Sequence, residues 1–436
     1  MTTFKHFHPA RYLGQVSVLL LLAACGNDGD SVTSLPDPGG GGGGGAVPGA
    51  PVGVLVVAGD TDATEVQNTV SWIADPDATS YTVYWANAAG VTENSSTVVP
   101  AAEGTRYVVH SDVDVLAGNT YYYKVQASSA AGSSALSDEV IGTPQRAITS
   151  NQLNDVAWNG ADMLVAVGDA GVILASPDGT TDEWVDVSLA ELPQSLAGVT
   201  WENVNNQFLV VGAGSTVLTG DGSNWVQADL GNLGGAFNLQ DVAWLGDRYI
   251  AVGNNGAILT SNGDGSAWGV QNPGVVFGNT AFNAVAHNGM TVVVVGGNGT
   301  ILTSADAMKW QELPPPTNND LNDITWDGSQ FVIVGSNDTI LTSPDGVAWT
   351  SHLPGTADIN FVAVTQWDAG LPATPIVAAV GSSGTFVLAP DADPGVIVPT
   401  GTNERLGGLA WVDDGVGSPY FMMVGNNGTV MTAQQP

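Results

Sequence analysis

Short apolar runs broken by Gly, Asn, Asp and Ser recur along most of this chain, and they predict β-strands joined by tight turns. They also recur with a period. The pair Val-Gly falls at Val167-Gly168, Val211-Gly212, Val252-Gly253, Val295-Gly296, Val334-Gly335, Val380-Gly381 and Val424-Gly425, in steps of 44, 41, 43, 39, 46 and 44 residues. Around each pair the order of events is the same. A strand with an Ala-Trp-like end comes first (DVAW, GVTW, DVAW, AVAH, DITW and, in the last unit, GLAW). A second strand ends in Val-Gly. A short polar turn follows (GDAG, GAGS, GNNG, GGNG, GSND, GSSG, GNNG), and then a third strand such as AILTS or TILTS. The first five units add another turn and a tryptophan: Trp184, Trp225, Trp268, Trp310 and Trp349.

A unit of about four strands is too small to bury both faces of its own sheet, whereas radial stacking of such units buries them all. The pattern therefore predicts an all-β chain whose residues 147–436 form a seven-bladed β-propeller. The last unit stops at its third strand, near Thr432, so closure of the ring needs a strand from elsewhere. The expected donor is the segment Arg146 to Asn151, just ahead of the first unit.

Residues 51–144 alternate as well. Val70-Ser71-Trp72-Ile73 and Tyr81-Thr82-Val83-Tyr84-Trp85 read as strands with a buried aromatic face, and a run from Leu116 to Val125 precedes Ala130-Ala131-Gly132 and Ser137. This stretch resembles a fibronectin type III domain, a β-sandwich. The resemblance implies that Trp72 is the core tryptophan and that Tyr122 ties its hydroxyl back to the preceding turn. Gly118-Asn119 stands where that turn usually has Pro-Gly, and no Arg-Gly-Asp is present. The expected role is a spacer.

Charge narrows the partners. The net charge is −34, from 42 acidic and 8 basic residues, and two of the basic ones, Lys5 and Arg11, lie near the N-terminus. So acidic a surface repels phosphate backbones, which argues against nucleic acid as a ligand. The one cysteine, Cys25, ends the apolar run from Gly14 to Ala24, which is too short to span a bilayer. Leu22-Ala23-Ala24-Cys25 resembles a bacterial lipobox. The resemblance implies a signal peptide over residues 1–25, lipidation of Cys25 and a membrane partner through that lipid alone. Gly26, in place of Asp, implies sorting to the outer membrane. Residues 26–50, with seven consecutive glycines from Gly39 to Gly45, read as a flexible tether.

Ser343-Pro344-Asp345-Gly346 with Trp349 resembles the Asp box, or BNR repeat, of sialidase-like propellers. Related copies centre on Asp178 with Trp184, Asp221 with Trp225, Asp264 with Trp268 and Asp306 with Trp310. Asp and Ser beside Gly close a turn on their own backbone amides, and a catalytic group has no use for five copies around a ring. These residues are therefore expected to be structural. The five motif turns are expected on the lower face of the ring, together with Trp158, Trp201, Trp244, Trp326 and Trp411.

Ligand recognition is then expected on the upper face, at the turns after Val-Gly. There the candidates are Asp169, Asn254, Asn255, Asn298, Asn337, Asp338, Asn426 and Asn427, although Asn-Gly in such turns also serves positive φ. The irregular connections Gly231 to Leu239, Gln271 to Phe282 and Pro314 to Asp320 are further candidates.

The sialidase resemblance would require an arginine triad and a Tyr-Glu pair, but Arg146, Arg248 and Arg405 show no obvious convergence. The basic patch that a photosystem assembly factor of similar repeat type uses is missing too. No catalytic set, cofactor motif or clear metal loop stands out. The expectation is a lipid-anchored binding or scaffold protein of the bacterial cell envelope, periplasmic or surface-exposed, taking a cell-surface protein or a polysaccharide. The alternative is a carbohydrate-active enzyme, a glycoside hydrolase or lyase, with a fibronectin-like accessory domain.

Overall fold

A computed structural model describes residues 46–60, 66–98, 106–111, 115–147, 149–179, 184–228, 230, 237–271, 280–352, 359–367, 376–390, 396–413, 415 and 419–434. The lipobox with Cys25, the tether up to residue 45, and most of the Gly231 and Gln271 connections lie outside the described residues.

From residue 153 onward the chain folds as a β-propeller. Six four-stranded antiparallel sheets follow one another, and a last meander adds strands Leu406–Val412, Tyr420–Gly425 and Val430–Gln434. The innermost strands are Leu153–Trp158, Leu196–Glu202, Leu239–Trp244, Phe282–His287, Leu321–Trp326, Phe361–Trp367 and Leu406–Val412. Each packs on the next, and Leu406–Val412 packs back on Leu153–Trp158, so the ring closes around a central channel. Apolar cores fill the wedges between blades. One such core joins Val165, Val167 and Ile173 of the first blade to Leu196, Val199, Phe208 and Val210 of the second.

The recurrent Val-Gly has a steric cause. Every innermost strand slips by one residue in its pairing with the second strand, so that Asn154 is extra between Leu153↔Gly168 and Asp155↔Val167. The same β-bulge recurs at Ala197, Gln240, Asn283, Asn322, Val362 and Gly407. It presses the carbonyl before the strand against the glycine of the second. A Cβ on Gly168 would lie 2.1 Å from the Gln152 carbonyl oxygen, and one on Gly253 would lie 2.3 Å from that of Asn238. Only glycine fits there.

Ahead of the propeller stands a two-layer β-sandwich. One layer holds Val52–Asp60, Val66–Ile73 and Tyr107–His110, and the other holds Ser80–Ala86, Ser96–Val98, Tyr121–Ser129, Gly132–Ser133 and Val140–Gly142. Trp72 is buried in its core, 5.1 Å from the Tyr81 ring. The tyrosine that ties back to the preceding turn is Tyr121, not Tyr122: its hydroxyl accepts the Leu116 N–H at 2.8 Å. Strand alternation decides this, because Tyr121 and Tyr123 point inward while Tyr122 stays half-buried.

The closing strand also differs from the expectation. Residues 146–147 and 149–151, the described part of that segment, form no strand. They cross the turn Asn426–Gly428, where a Cβ on Gly428 would lie 1.9 Å from the Thr149 carbonyl oxygen. This is the place that Leu192, Thr317 and Thr402 take over the equivalent glycines Gly171, Gly299 and Gly384. The fourth strand of the last blade is instead Val52–Asp60 of the sandwich, antiparallel to Val430–Gln434 with Val57 opposite Ala433. This one strand serves two cores. Val54, Val56 and Ala58 face the sandwich, and Leu55 and Val57 face the propeller, so all five are buried. A spacer reading for the sandwich misses this shared strand. Gln67 and Thr69 of the next strand reach the Thr400 carbonyl between the last two blades.

Candidate functional site

The bulges aim a ring of side chains at the channel axis. Asn154, Ala197, Gln240, Asn283, Asn322, Val362 and Gly407, all at the bulge position, line a funnel of about 640 Å³ at the upper mouth of the channel. Gln152, Ser195, Asn238, Asn360 and Arg405, one residue before the innermost strands, form its rim, and Asp155, Asp241 and Asp323 lie deeper. Carboxamides are the commonest polar groups of the wall, joined by four carboxyls and one guanidinium.

Most of these polar groups hold neighbouring blades together. The Nδ2 groups of Asn154, Asn283 and Asn322 donate to the carbonyls of Leu196, Leu321 and Phe361 in the following blade, at 2.8, 2.8 and 2.6 Å. The three aspartates do the converse. Oδ1 accepts the next residue's own N–H, from Val156, Val242 or Ile324 at 2.7–2.8 Å. Oδ2 accepts an N–H of the following blade, from Val199, Val285 or Val364 at 2.7–2.8 Å. Small residues separate the aspartates around the ring. A Cβ on Gly408 would sit 2.6 Å from the Asp155 Cα, so no larger residue fits beside it.

Burial among apolar strands pushes the Asp155 carboxyl up to about 7, against the amide donors that favour the ionised form. Burial likewise raises Asp241 to about 6. Asp323 is pushed well above the usual carboxylate range, first by burial and then by the charge of Asp241. These are structural carboxyls whose oxygens are already committed. No group of three or more His, Cys, Asp or Glu able to hold a metal ion comes together among the described residues.

Of the upper-face candidates, Asp169 lines the funnel, where Asn154 donates to its Oδ1 at 3.2 Å. Asn254 and Asn426 begin their turns, with N–H groups donating to the carbonyls of Asn238 and Arg405. Asn255, Asn298, Asn337, Asp338 and Asn427 occupy left-handed turn positions, with φ of 58°, 55°, 52°, 57° and 53°. Asp338 also accepts the Ile359 N–H at 2.8 Å. The turn tips therefore stand outside the funnel wall. Apart from Asp169, the wall is formed mainly by bulge and pre-strand residues and the aspartates after the bulges, which the sequence candidates did not include. One signal was available: the Asp of DVAW and DITW recurs in alternate units.

The opposite mouth carries the expected tryptophans. Trp158, Trp201, Trp244 and Trp411 line a second recess of about 630 Å³. Trp201, Trp244, Trp326 and Trp411 each lie on a second-strand aromatic: Phe208, Tyr249, Phe331 and Phe421, at 4.6–4.8 Å.

The side chains of the Ser-Asp-Gly turns close on the turns' own amides. Asp345 Oδ1 accepts the Val347 and Ala348 N–H groups and the Ser343 hydroxyl, while the Gly346 N–H donates to Ser343 Oγ. Asp306 repeats this with Met308 and Lys309, Asp221 with Ser223 and Asn224, and Asp264 with Ser266. The Asp178 carbonyl accepts the Tyr420 hydroxyl of the last blade. Trp184, Trp225 and Trp310 are buried, and Trp268 and Trp349 half-buried.

No protein-family model matches this chain, and no curated protein does. Solved structures of similar fold exist. YCF48 bound to D1 peptide superposes with a TM-score of 0.54 at 13% identity, covering 66% of this chain and 94% of that one. YCF48 from Cyanidioschyzon merolae gives 0.52 at 15% identity, covering 66% and 97%. The WD40 β-propeller domain of Doa1 gives 0.50 at 11% identity, covering 66% and 94%. At these identities the likeness concerns the fold.

Proposed function

We propose that this chain is a lipid-anchored, extracytoplasmic binding protein whose funnel captures an extended segment of a partner protein. In this reading Cys25 carries the anchor, residues 26–50 are the tether, and the sandwich is a fibronectin type III-like domain that clasps a seven-bladed ring of Asp-box type. The observation that carries the binding role is the funnel itself. It is a concave, carboxamide-lined mouth to which every innermost strand contributes, and side-chain amides suit the alternating N–H and C=O groups of a peptide backbone. Binding is favoured over catalysis because each deep carboxyl already accepts two backbone amides. YCF48, of similar fold, has been solved bound to D1 peptide, which agrees with the reading.

The test is binding of the full chain, in detergent, to peptide and glycan arrays, alongside variants that fill the funnel, Ala197→Trp and Val362→Trp. Peptide capture lost in both variants supports the proposal. Glycan capture alone, or turnover of a polysaccharide, would replace it with the carbohydrate reading. A Cys25→Ala chain that still takes up lipid label would remove the anchor.

A further inference from the structure

We infer that Arg405 is the funnel's anion-binding residue and that its ligand presents a carboxylate. This deepens the peptide-capture reading and rests on it. Arg405 stands one residue before the last innermost strand, where the other blades carry Gln152, Ser195, Asn238, Ala281, Asp320 and Asn360. The backbone task of that position is common to all of them: the carbonyl accepts an N–H from the following helical turn, and Arg405 does so with Asn426 at 2.9 Å. In three other blades the side chain also accepts a turn N–H, Asn238 from Gly214, Asp320 from Asn298 and Asn360 from Asn337, a task that a guanidinium, which only donates, cannot perform.

The side chain is nonetheless held inside the funnel. It lies over Gly407, where the bulge position lacks a side chain, and a Cβ there would come within 3.0 Å of Arg405 Nη1. Nη1 is shielded from solvent and has no hydrogen-bond partner. Asp169 faces the guanidinium without forming an ion pair, and among the described residues the one salt bridge is Arg248 with Asp247. Burial pushes the guanidinium pKa down, so the charge is held at a cost. A recessed cation without a partner is unfavourable until an anion meets it.

The surroundings choose the anion. Asp169 shares the funnel in a chain of net charge −34, which opposes a doubly charged phosphate more than a single carboxylate. The planar fork of Arg matches a carboxylate, and the surrounding carboxamides can hold the peptide groups beside it. Such a carboxylate comes from a free C-terminus or from an Asp or Glu side chain.

The experiment uses the full chain in detergent and three pools of hexapeptides randomised without Asp or Glu. One pool has a free C-terminal carboxylate, one is amidated, and one is amidated with Glu fixed at the third position. Wild type should enrich the free-carboxylate or the Glu pool at least tenfold over the plain amidated pool, and the winning pool identifies the source. Arg405→Gln should abolish that preference, and Arg405→Lys should keep part of it. Without peptide, Arg405→Gln should melt no lower than wild type, because it removes a half-buried cation that forms no ion pair. Equal capture of all pools by wild type overturns the inference. So does an Arg405→Gln chain that keeps the preference, or one that melts well below wild type. If Ala197→Trp abolishes capture while Arg405→Gln leaves the preference intact, the funnel reading survives and only the carboxylate falls. If no pool binds wild type, both fall.

Discussion

Two sets of aspartates face opposite ends of this ring. Asp155, Asp241 and Asp323 line the upper channel, while Asp221, Asp264, Asp306 and Asp345 close turns on the lower rim. The local bonding is much alike, since in both sets backbone amides donate to a carboxyl. The consequences are opposite. In the channel, burial wins and raises the carboxyls. On the rim, solvent removes that penalty and hydrogen bonds hold them below the usual range, led by the Asn224 amide for Asp221, the Ser266 hydroxyl for Asp264, the Lys309 amide for Asp306 and the Ala348 amide for Asp345. The reach differs too. A rim aspartate organises its own turn, whereas a channel aspartate ties its blade to the next.

The contrast presupposes a closed ring, so the largest effect should come from opening it. Val57→Asp places a charge in the last blade's core and should cost about 4 kcal/mol or more. Val52→Asp, on the exposed end of the same strand, should cost well under that. Thermal unfolding of the two variants measures the difference, and equal melting would mean that the shared strand does not close the propeller.

Asp241→Ala should come next, at about 2–4 kcal/mol, because the Val242 and Val285 amides lose their acceptor inside the wall. Urea titration measures it. A loss below that of a rim variant would contradict the stapling role.

The third expectation concerns pH. A carboxyl raised on folding stabilises the native state fully below its unfolded value of about 4, and that contribution disappears as pH rises through the folded value. For Asp155 and Asp241 the folded values are about 7 and about 6, so stability should fall between pH 4 and 7. The rim carboxyls, lowered on folding, lose their contribution only as pH falls below about 4. Melting curves at pH 5 and pH 8 should favour pH 5, and Asp155→Asn should reduce the gap. A gap that the variant leaves unchanged would assign the pH dependence elsewhere.

The smallest effect should be Asp345→Ala, about 1 kcal/mol or less, since its turn is exposed and water can satisfy the freed amides. Calorimetry of this variant beside Asp241→Ala sets the two sets of aspartates on one scale.

What could be read along the chain was whatever repeats within one unit. The Val-Gly pairs mark second strands because a bulge presses on a glycine, and that requirement is met within a single blade. The Ser-Asp-Gly turns are equally local, since each closes on neighbours two or three residues away. The tie-back tyrosine is Tyr121 rather than the expected Tyr122 because the phase of an alternating strand depends on which face meets the other sheet.

The remaining features depend on contacts between residues far apart in sequence. Asp155 is matched by an amide of Val199, and Asn322 by the carbonyl of Phe361, pairings that exist only once neighbouring blades lie side by side. Arg405 belongs to no sequence motif, and only the closed ring brings it over Gly407 at the funnel mouth. The closing strand came from Val52–Asp60 rather than from the adjacent 146–151. The continuous apolar run of that strand does not say which core each face will enter. Periodicity in one unit follows from local sterics and hydrogen bonding. Closure, the stapled channel and the funnel arise from surfaces that meet when the whole chain has folded.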